Sequence, residues 1–220
     1  TGRWPIAQKN IELSCVQAKK HGAEGILLTS WGDGGNHQPW PTMYPGIFQA
    51  AQWSWSGQYL PEENLAEAID AWVYDFPGSR VGQSILKLGR LDEEMDSYIA
   101  NSSLHWTLLF GSKEERFKQF LEEHGTAEKM IAGLVHLEES EKEIESISMN
   151  SKVLLSRQEL QLGVEMTRIS LQRGKSLLEG QEFTHPNQEA MVREFEKLWL
   201  RRARPGGLEE ASGFLREALI

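Results

Sequence analysis

One short run constrains the fold more than any other: Glu24 to Ser30, "EGILLTS", flanked by Gly22 and the glycine-rich turn "WGDGG". It is apolar, too short for a helix and bounded by glycine, so it predicts a strand buried on both faces. A lone strand of parallel type leaves its own N–H and C=O groups unpaired, so neighbouring strands are required. The rest of the chain supplies none. The chain starts at Thr1 without Met, and the missing strands are expected upstream of that residue.

Around this run the pattern is helical. Ile6 to His21 carries apolar residues at helical spacing and stops at Gly22, while Tyr44 to Trp55 opens on Pro45 and places Ile47, Phe48, Ala51 and Trp55 on one side. Beyond Gly57 everything reads helical. Leu60-Pro61 opens a helix through Phe76, with Leu65, Ala68, Ile69, Trp72 and Val73 inward, and further helices are predicted over 82–88, 91–99, 104–110, 113–124, 127–148, 152–178, 188–202 and 208–219. Apolar residues from Met130 to Ile147 and from Leu155 to Ile169 recur at three- and four-residue steps. They predict an antiparallel helix pair turning near Met149-Asn150-Ser151. The division expected is a helix–strand–helix unit over residues 1–59 and an α-helical domain over 60–220.

Composition excludes several roles. The 220 residues are 40% hydrophobic and 25% charged, with a net charge of −9, and acidic and basic residues interleave instead of forming blocks. A nucleic-acid backbone is therefore not an expected partner. No run of about 18 apolar residues and no basic-then-apolar leader is present, so neither a membrane partner nor a signal peptide is expected. The single Cys15 makes no intrachain disulfide, and a reducing, cytoplasmic setting is expected. The six histidines include no i, i+4 pair and no cysteine partner, so no metal or other cofactor is expected. Gly-Asp-Gly-Gly lacks the Lys-Ser/Thr of a phosphate loop.

The candidate site is the turn itself. Trp31 and Asp33 follow the strand, and in α/β barrels the C-terminal strand ends carry the active site. A flat indole and a carboxylate two residues apart suit a pyranose, whose C–H face stacks on the ring while its hydroxyls donate to the carboxylate. Gly32, Gly34 and Gly35 would let backbone and ligand approach closely. A plain tight turn with Trp31 as a core residue explains the same letters. His37, Gln38 and Trp40 extend the loop, either as a pocket rim or as loop packing.

Three segments carry a resemblance: "GILLTSWGDGG", "YPGIFQAAQWSW" and "WLRRARPGGLEEA", Trp199 to Ala211. Together they resemble the end of the catalytic barrel and the helical extension of bacterial β-N-acetylhexosaminidases of glycoside hydrolase family 20. The resemblance implies a mainly α chain: the last α-β-α elements of a (β/α)8 TIM barrel (helix 7, strand 8, helix 8) followed by an α-helical C-terminal domain. It makes Trp31 a wall of the pocket for a terminal N-acetylhexosamine and Asp33 the acceptor for its 4- and 6-hydroxyls. The implied chemistry is retaining and substrate-assisted, with the acetamido oxygen in place of an enzyme nucleophile. The Asp-Glu pair that performs it is expected upstream of Thr1, so no catalytic residue is assigned here. The implied partners are N-acetylhexosamine-terminated glycans, the remainder of the barrel, and a second copy bound through the helical domain.

Other conspicuous residues read as structural. The doublets Glu62-Glu63, Asp92-Glu93, Glu114-Glu115 and Glu209-Glu210 are expected on solvated helix faces. Trp53, Trp55, Trp72 and Trp106 are expected in core or domain-interface packing; Trp4, next to Pro5, could belong to a barrel loop beside the pocket and is given no assignment. "RRARPGG" reads as a helix C-terminus whose cations oppose the macrodipole. The rival reading of the whole chain is a non-catalytic helical interaction or oligomerisation module.

Overall fold

The computed structural model describes residues 2–32, 34–111, 117–184 and 187–219. Eleven α-helices are found among them: α1 (Trp4–Lys20), α2 (Tyr44–Ser56), α3 (Glu62–Tyr74), α4 (Val81–Leu88), α5 (Leu91–Glu94), α6 (Leu104–Phe110), α7 (Phe117–His124), α8 (Ala127–Glu145), α9 (Ser151–Leu178), α10 (Gln188–Arg202) and α11 (Leu208–Leu219). A single 3-10 turn, Trp40–Met43, leads into α2. The chain is mainly α, as expected. The start of the helix expected over 113–124 lies partly outside the described residues, and α5 stops after one turn instead of running to Ile99.

The strand expected at Glu24–Ser30 is not formed. Residues 25–32 carry no regular structure, and among the described residues the only β pairing is an isolated bridge between Ile99 and Ser102. The reason is the one that made the run demanding: a strand is stabilised by ladder partners, and none is present. Its apolar side chains stay in solvent instead, Leu27 at 89% exposure.

Helix α9 organises the rest. Its 28 residues span about 42 Å at 1.5 Å per residue, and it packs against α4, α6, α8 and α10. Short residues along its buried side let neighbours approach closely. A Cβ on Gly174 would sit 2.9 Å from Leu108 Cδ1, and one on Gly133 of α8 would sit 2.7 Å from Leu171 Cδ1. Helices α8 and α9 form the expected hairpin, with Met130, Leu137 and Ile144 in one core. To that core α9 brings Val153, Leu160 and Val164 in place of the expected Leu155, Leu162, Met166 and Ile169, of which Met166 and Ile169 pack with α10 and α11. Side-chain caps fix the ends of the hairpin, the Thr126 hydroxyl accepting from Lys129 N–H and the Asn150 amide from Lys152 N–H.

A second core joins α6 and α9 to α10 and α11 through Leu109, Met166, Val192, Phe195 and Leu215. The last turn of α10 carries Arg201 and Arg202, as the macrodipole favours. Arg202 also forks onto Glu159 with two 2.7 Å bonds and reaches Ser156 Oγ at 3.1 Å.

Residues 1–59 rest directly on this bundle. Trp4 is buried in the same core as Leu65, Ile85 and Leu104, and its indole N–H donates to Glu62 Oε1 at 2.8 Å. The side expected to face inward on α2 is rotated: Ala50 and Gln49 are buried, whereas Trp55 is 94% exposed. On α3, Leu65 and Ile69 are buried as expected, but Trp72 is 83% exposed. Helical spacing identifies a stripe without saying how far around the helix its partners reach.

Asp70 ties α3 to α4. Its two carboxylate oxygens accept the backbone N–H groups of Arg80 and Gly82, each at 2.8 Å, so a buried anion caps the next helix. Asp70→Ala is expected to destabilise the chain by about 2–3 kcal/mol, the range for lost hydrogen bonds to a charged group. Urea unfolding measures it, and a change indistinguishable from zero contradicts the assignment.

Candidate functional site

The turn after residue 30 opens onto a cavity of about 740 Å³, within the range of about 300–1,000 Å³ found for ligand pockets. Its walls come from both parts of the chain. Trp31, Gly32, Asn36 and Gln38 line it from the turn, Asn10 and Ile47 from α1 and α2, and Ser103, His105, Trp106 and Met166 from the bundle. A second groove, of about 820 Å³ beside α3 and α4, is lined by Glu62, Lys87, Arg90 and other charged residues. Arg90 and Lys87 there already hold Glu62 and Glu139 in ion pairs.

Trp31 stands 78% exposed on the cavity wall, its indole N–H donating to Thr29 Oγ1 at 3.1 Å. It is not a core residue. Asp33, the other residue expected to contact sugar, lies outside the described residues. The glycines around it clear space for protein side chains. A Cβ on Gly32 would strike Asn36, one on Gly34 (φ +69°) would lie 3.1 Å from Trp106 Cζ2, and one on Gly35 (φ +101°) would lie 2.3 Å from His37 Cε1. The contact at Gly34 is with the bundle, and those at Gly32 and Gly35 are with side chains of the turn itself.

His37 fastens the turn. Its Nε2 lies 2.8 Å from the Ala211 carbonyl, which fixes the proton on that nitrogen, and its ring is stacked on Phe110 at 4.6 Å and tilted against Phe195 at 5.0 Å. Two residues further on, Pro39 enters the gap at Gly163 of α9, where a Cβ would come within 2.5 Å of Pro39 Cγ. Burial pushes His37 below the ordinary imidazole range, against the pull of the Ala211 and Gly34 carbonyls. Of the loop residues read as rim or packing, His37 is buried packing, while Trp40 is 48% exposed.

A buried polar cluster, which sequence reasoning missed, flanks the cavity. Asp92 is 7% exposed, contrary to the solvated face expected for its doublet, while Glu93 beside it does face solvent. Arg3 Nε donates to Asp92 Oδ2 at 2.7 Å, and Arg3 Nη2 donates to the Ile99 carbonyl at 2.8 Å. His105 Nδ1 lies 3.5 Å from Asp92 Oδ1, and His105 Nε2 lies 3.2 Å from Ser103 Oγ. Burial holds His105 below its ordinary value in spite of Asp92, and Asp92 sits below the carboxylate range because His105 and Arg3 together outweigh its own burial. With His105 neutral, Arg3 is the cation that keeps Asp92 ionised.

The order Ser103, His105, Asp92 is that of a nucleophilic triad, yet Ser103 Oγ also accepts from Trp106 N–H as the N-cap of α6. The cluster therefore acts as a clamp joining the entry to α1, α5 and α6. Its only signal in the sequence would have been a buried acid in α5, but a one-turn helix has too few residues to show a face.

Trp4 belongs to the bundle core and not to a loop beside the pocket, although its flank also borders the cavity. Glu209 and Glu210 are exposed as expected, and Glu114 and Glu115 lie outside the described residues. Among the described residues no group of three His, Cys, Asp or Glu side chains is placed to hold a metal ion, and no helix is long and apolar enough to cross a membrane. No protein-family model, curated protein or solved structure matches this chain.

Replacing His37 by Ala removes a buried hydrogen bond and two ring contacts, an expected loss of about 2 kcal/mol. The drop in urea midpoint should be accompanied by faster proteolysis of the turn; an unchanged midpoint contradicts the fastening role. His37, His105 and His136 are all held below 6.5 chiefly by burial. The unfolded chain therefore binds protons first on acidification, so stability is full above 6.5 and falls as the pH drops below it. Urea unfolding at about pH 7.5 and about pH 5.5 checks the sign, and equal stability at the two values contradicts it.

Proposed function

We propose that this chain is the C-terminal part of an exo-β-N-acetylhexosaminidase of the family 20 type, and that it supplies sugar-binding residues and a helical domain but not the general acid. One observation carries the reading: Trp31, largely exposed, lines a ligand-sized cavity, where its indole is available to a pyranose C–H face. The polar groups of Asn10, Asn36 and Gln38 along the same wall suit hydroxyls and an acetamide. In this reading α1 and α2 are the last two helices of a (β/α)8 barrel, and residues 24–30 become its eighth strand once neighbouring strands pair with them. Asp33 accepts the 4- and 6-hydroxyls of the terminal sugar. The acetamido oxygen of that sugar attacks its own anomeric carbon, assisted by an Asp-Glu pair that precedes Thr1.

The rival reading, a non-catalytic helical interaction module, draws on Ile131 and Val135, half-exposed one turn apart on α8. It requires indifference to changes at the turn. The deciding experiment is made in the full-length protein. Asp33→Ala is expected to lower kcat/KM for a terminal N-acetylhexosaminide by at least about 100-fold, because a site built to accept hydroxyl protons loses its discrimination without the acceptor. Glu210→Ala, on an exposed face of α11, is expected to leave kcat/KM within about twofold, as surface substitutions do. Similar effects of the two substitutions rule out the hydrolase reading.

A further inference from the structure

Trp106 shares the cavity with Trp31 but comes from the other side, from α6 of the bundle. It is 39% exposed. Its ring tilts against Phe110 at 5.5 Å, and Phe110 in turn stacks on His37 at 4.6 Å, so the indole is backed by a row of rings that ends at the Ala211 carbonyl. On its edge it meets Gly34, where glycine leaves room that any Cβ would contest at 3.1 Å. The indole is therefore oriented before any ligand arrives. Its own N–H meets no acceptor among the described residues, as is true also of the exposed Trp40, Trp55 and Trp72, whereas Trp4, Trp31 and Trp199 donate theirs.

These features suit a platform better than a filler. A tryptophan placed only for packing turns its face inward and finds a partner for its N–H when buried. Trp106 keeps part of its area exposed on the wall of a cavity whose volume of about 740 Å³ exceeds what one hexose ring fills. Beside it the rim carries Ser102 and the exposed Asn101.

We propose that Trp106 forms a second sugar subsite, stacking the ring that is β-linked to the terminal N-acetylhexosamine held at Trp31. The inference rests on the reading of Trp31 given above and assigns the helical domain a share in substrate selection. The penultimate ring presents its own apolar C–H face to the indole, and a ring hydroxyl accepts from the indole N–H. An aglycone too small to reach α6 gains nothing from the residue.

The test compares N,N′-diacetylchitobiose with the methyl β-glycoside of N-acetylglucosamine in the full-length protein. Trp106→Leu keeps apolar bulk against Phe110 and Gly34 but removes the flat face. It is expected to lower kcat/KM for chitobiose about tenfold, the equivalent of one good aromatic contact, and to lower it for the methyl glycoside by a much smaller factor, through the lost contact with Gly34 alone. Trp106→Phe restores a ring and is expected to recover most of the chitobiose activity. Equal loss on both substrates, or no loss on either, overturns the subsite. Wild-type protein that hydrolyses neither substrate overturns the hexosaminidase reading itself, a result distinct from the failure of Trp106.

Discussion

Close approach between α9 and its neighbours is the contact on which the other parts depend. Gly163 and Gly174 on α9, with Gly133 opposite on α8, replace side-chain volume with backbone, and Pro39, Leu108 and Leu171 fill the space. Dispersion contacts of this kind are individually weak and collectively large, and they fall away steeply with distance. A helix of larger residues in the same place would push α6 outward. Both Trp106 and the Ser103 cap would move with it, and the cavity would change shape. The packing density of the bundle is thus also the tolerance to which the site is built.

The turn from Gly32 to Pro39 is held the same way, by surfaces distant in sequence. Its glycines admit Asn36, Trp106 and His37, and its aromatic neighbours come from α6 and α10. A turn with so many glycines has a large conformational entropy when free. Contacts with the bundle at Gly34, His37 and Pro39 remove part of that freedom ahead of any ligand. The buried clamp of Arg3, Asp92, His105 and Ser103 does the equivalent for the first helix. An uncompensated Asp92 in that position would be strongly unfavourable, so α1 enters the fold only where Arg3 can meet the carboxylate.

Helix positions were readable in the sequence almost throughout, because three- and four-residue spacing and the stops at Gly22, Gly57 and Pro77-Gly78 report local geometry directly. Orientation was less so. Trp55 and Trp72 sit at the same spacing as true core residues yet face solvent, since periodicity records a stripe and not the partner that covers it. The strand at residues 24–30 illustrates the opposite limit: its apolar letters are those of a strand, but pairing is a property of neighbours. Trp31 was singled out from local turn chemistry, and it borders the cavity. Trp106, Asp92 and His105 were not, because they reach the cavity only through tertiary packing, and Arg3 and Asp92 lie 89 positions apart.

The bond between His37 and the Ala211 carbonyl spans 174 positions, and that separation sets an order of events. During synthesis the turn leaves the ribosome long before α11 exists, at a rate of about 5–20 residues per second. For roughly ten seconds or more it therefore lacks its fastening, since loops closed by distant contacts form only after those contacts can be made. The segment that presents Trp31 is made long before α11 and takes its shape only after it. Loss of α11 would be felt in a turn 174 positions away, through the Ala211 carbonyl.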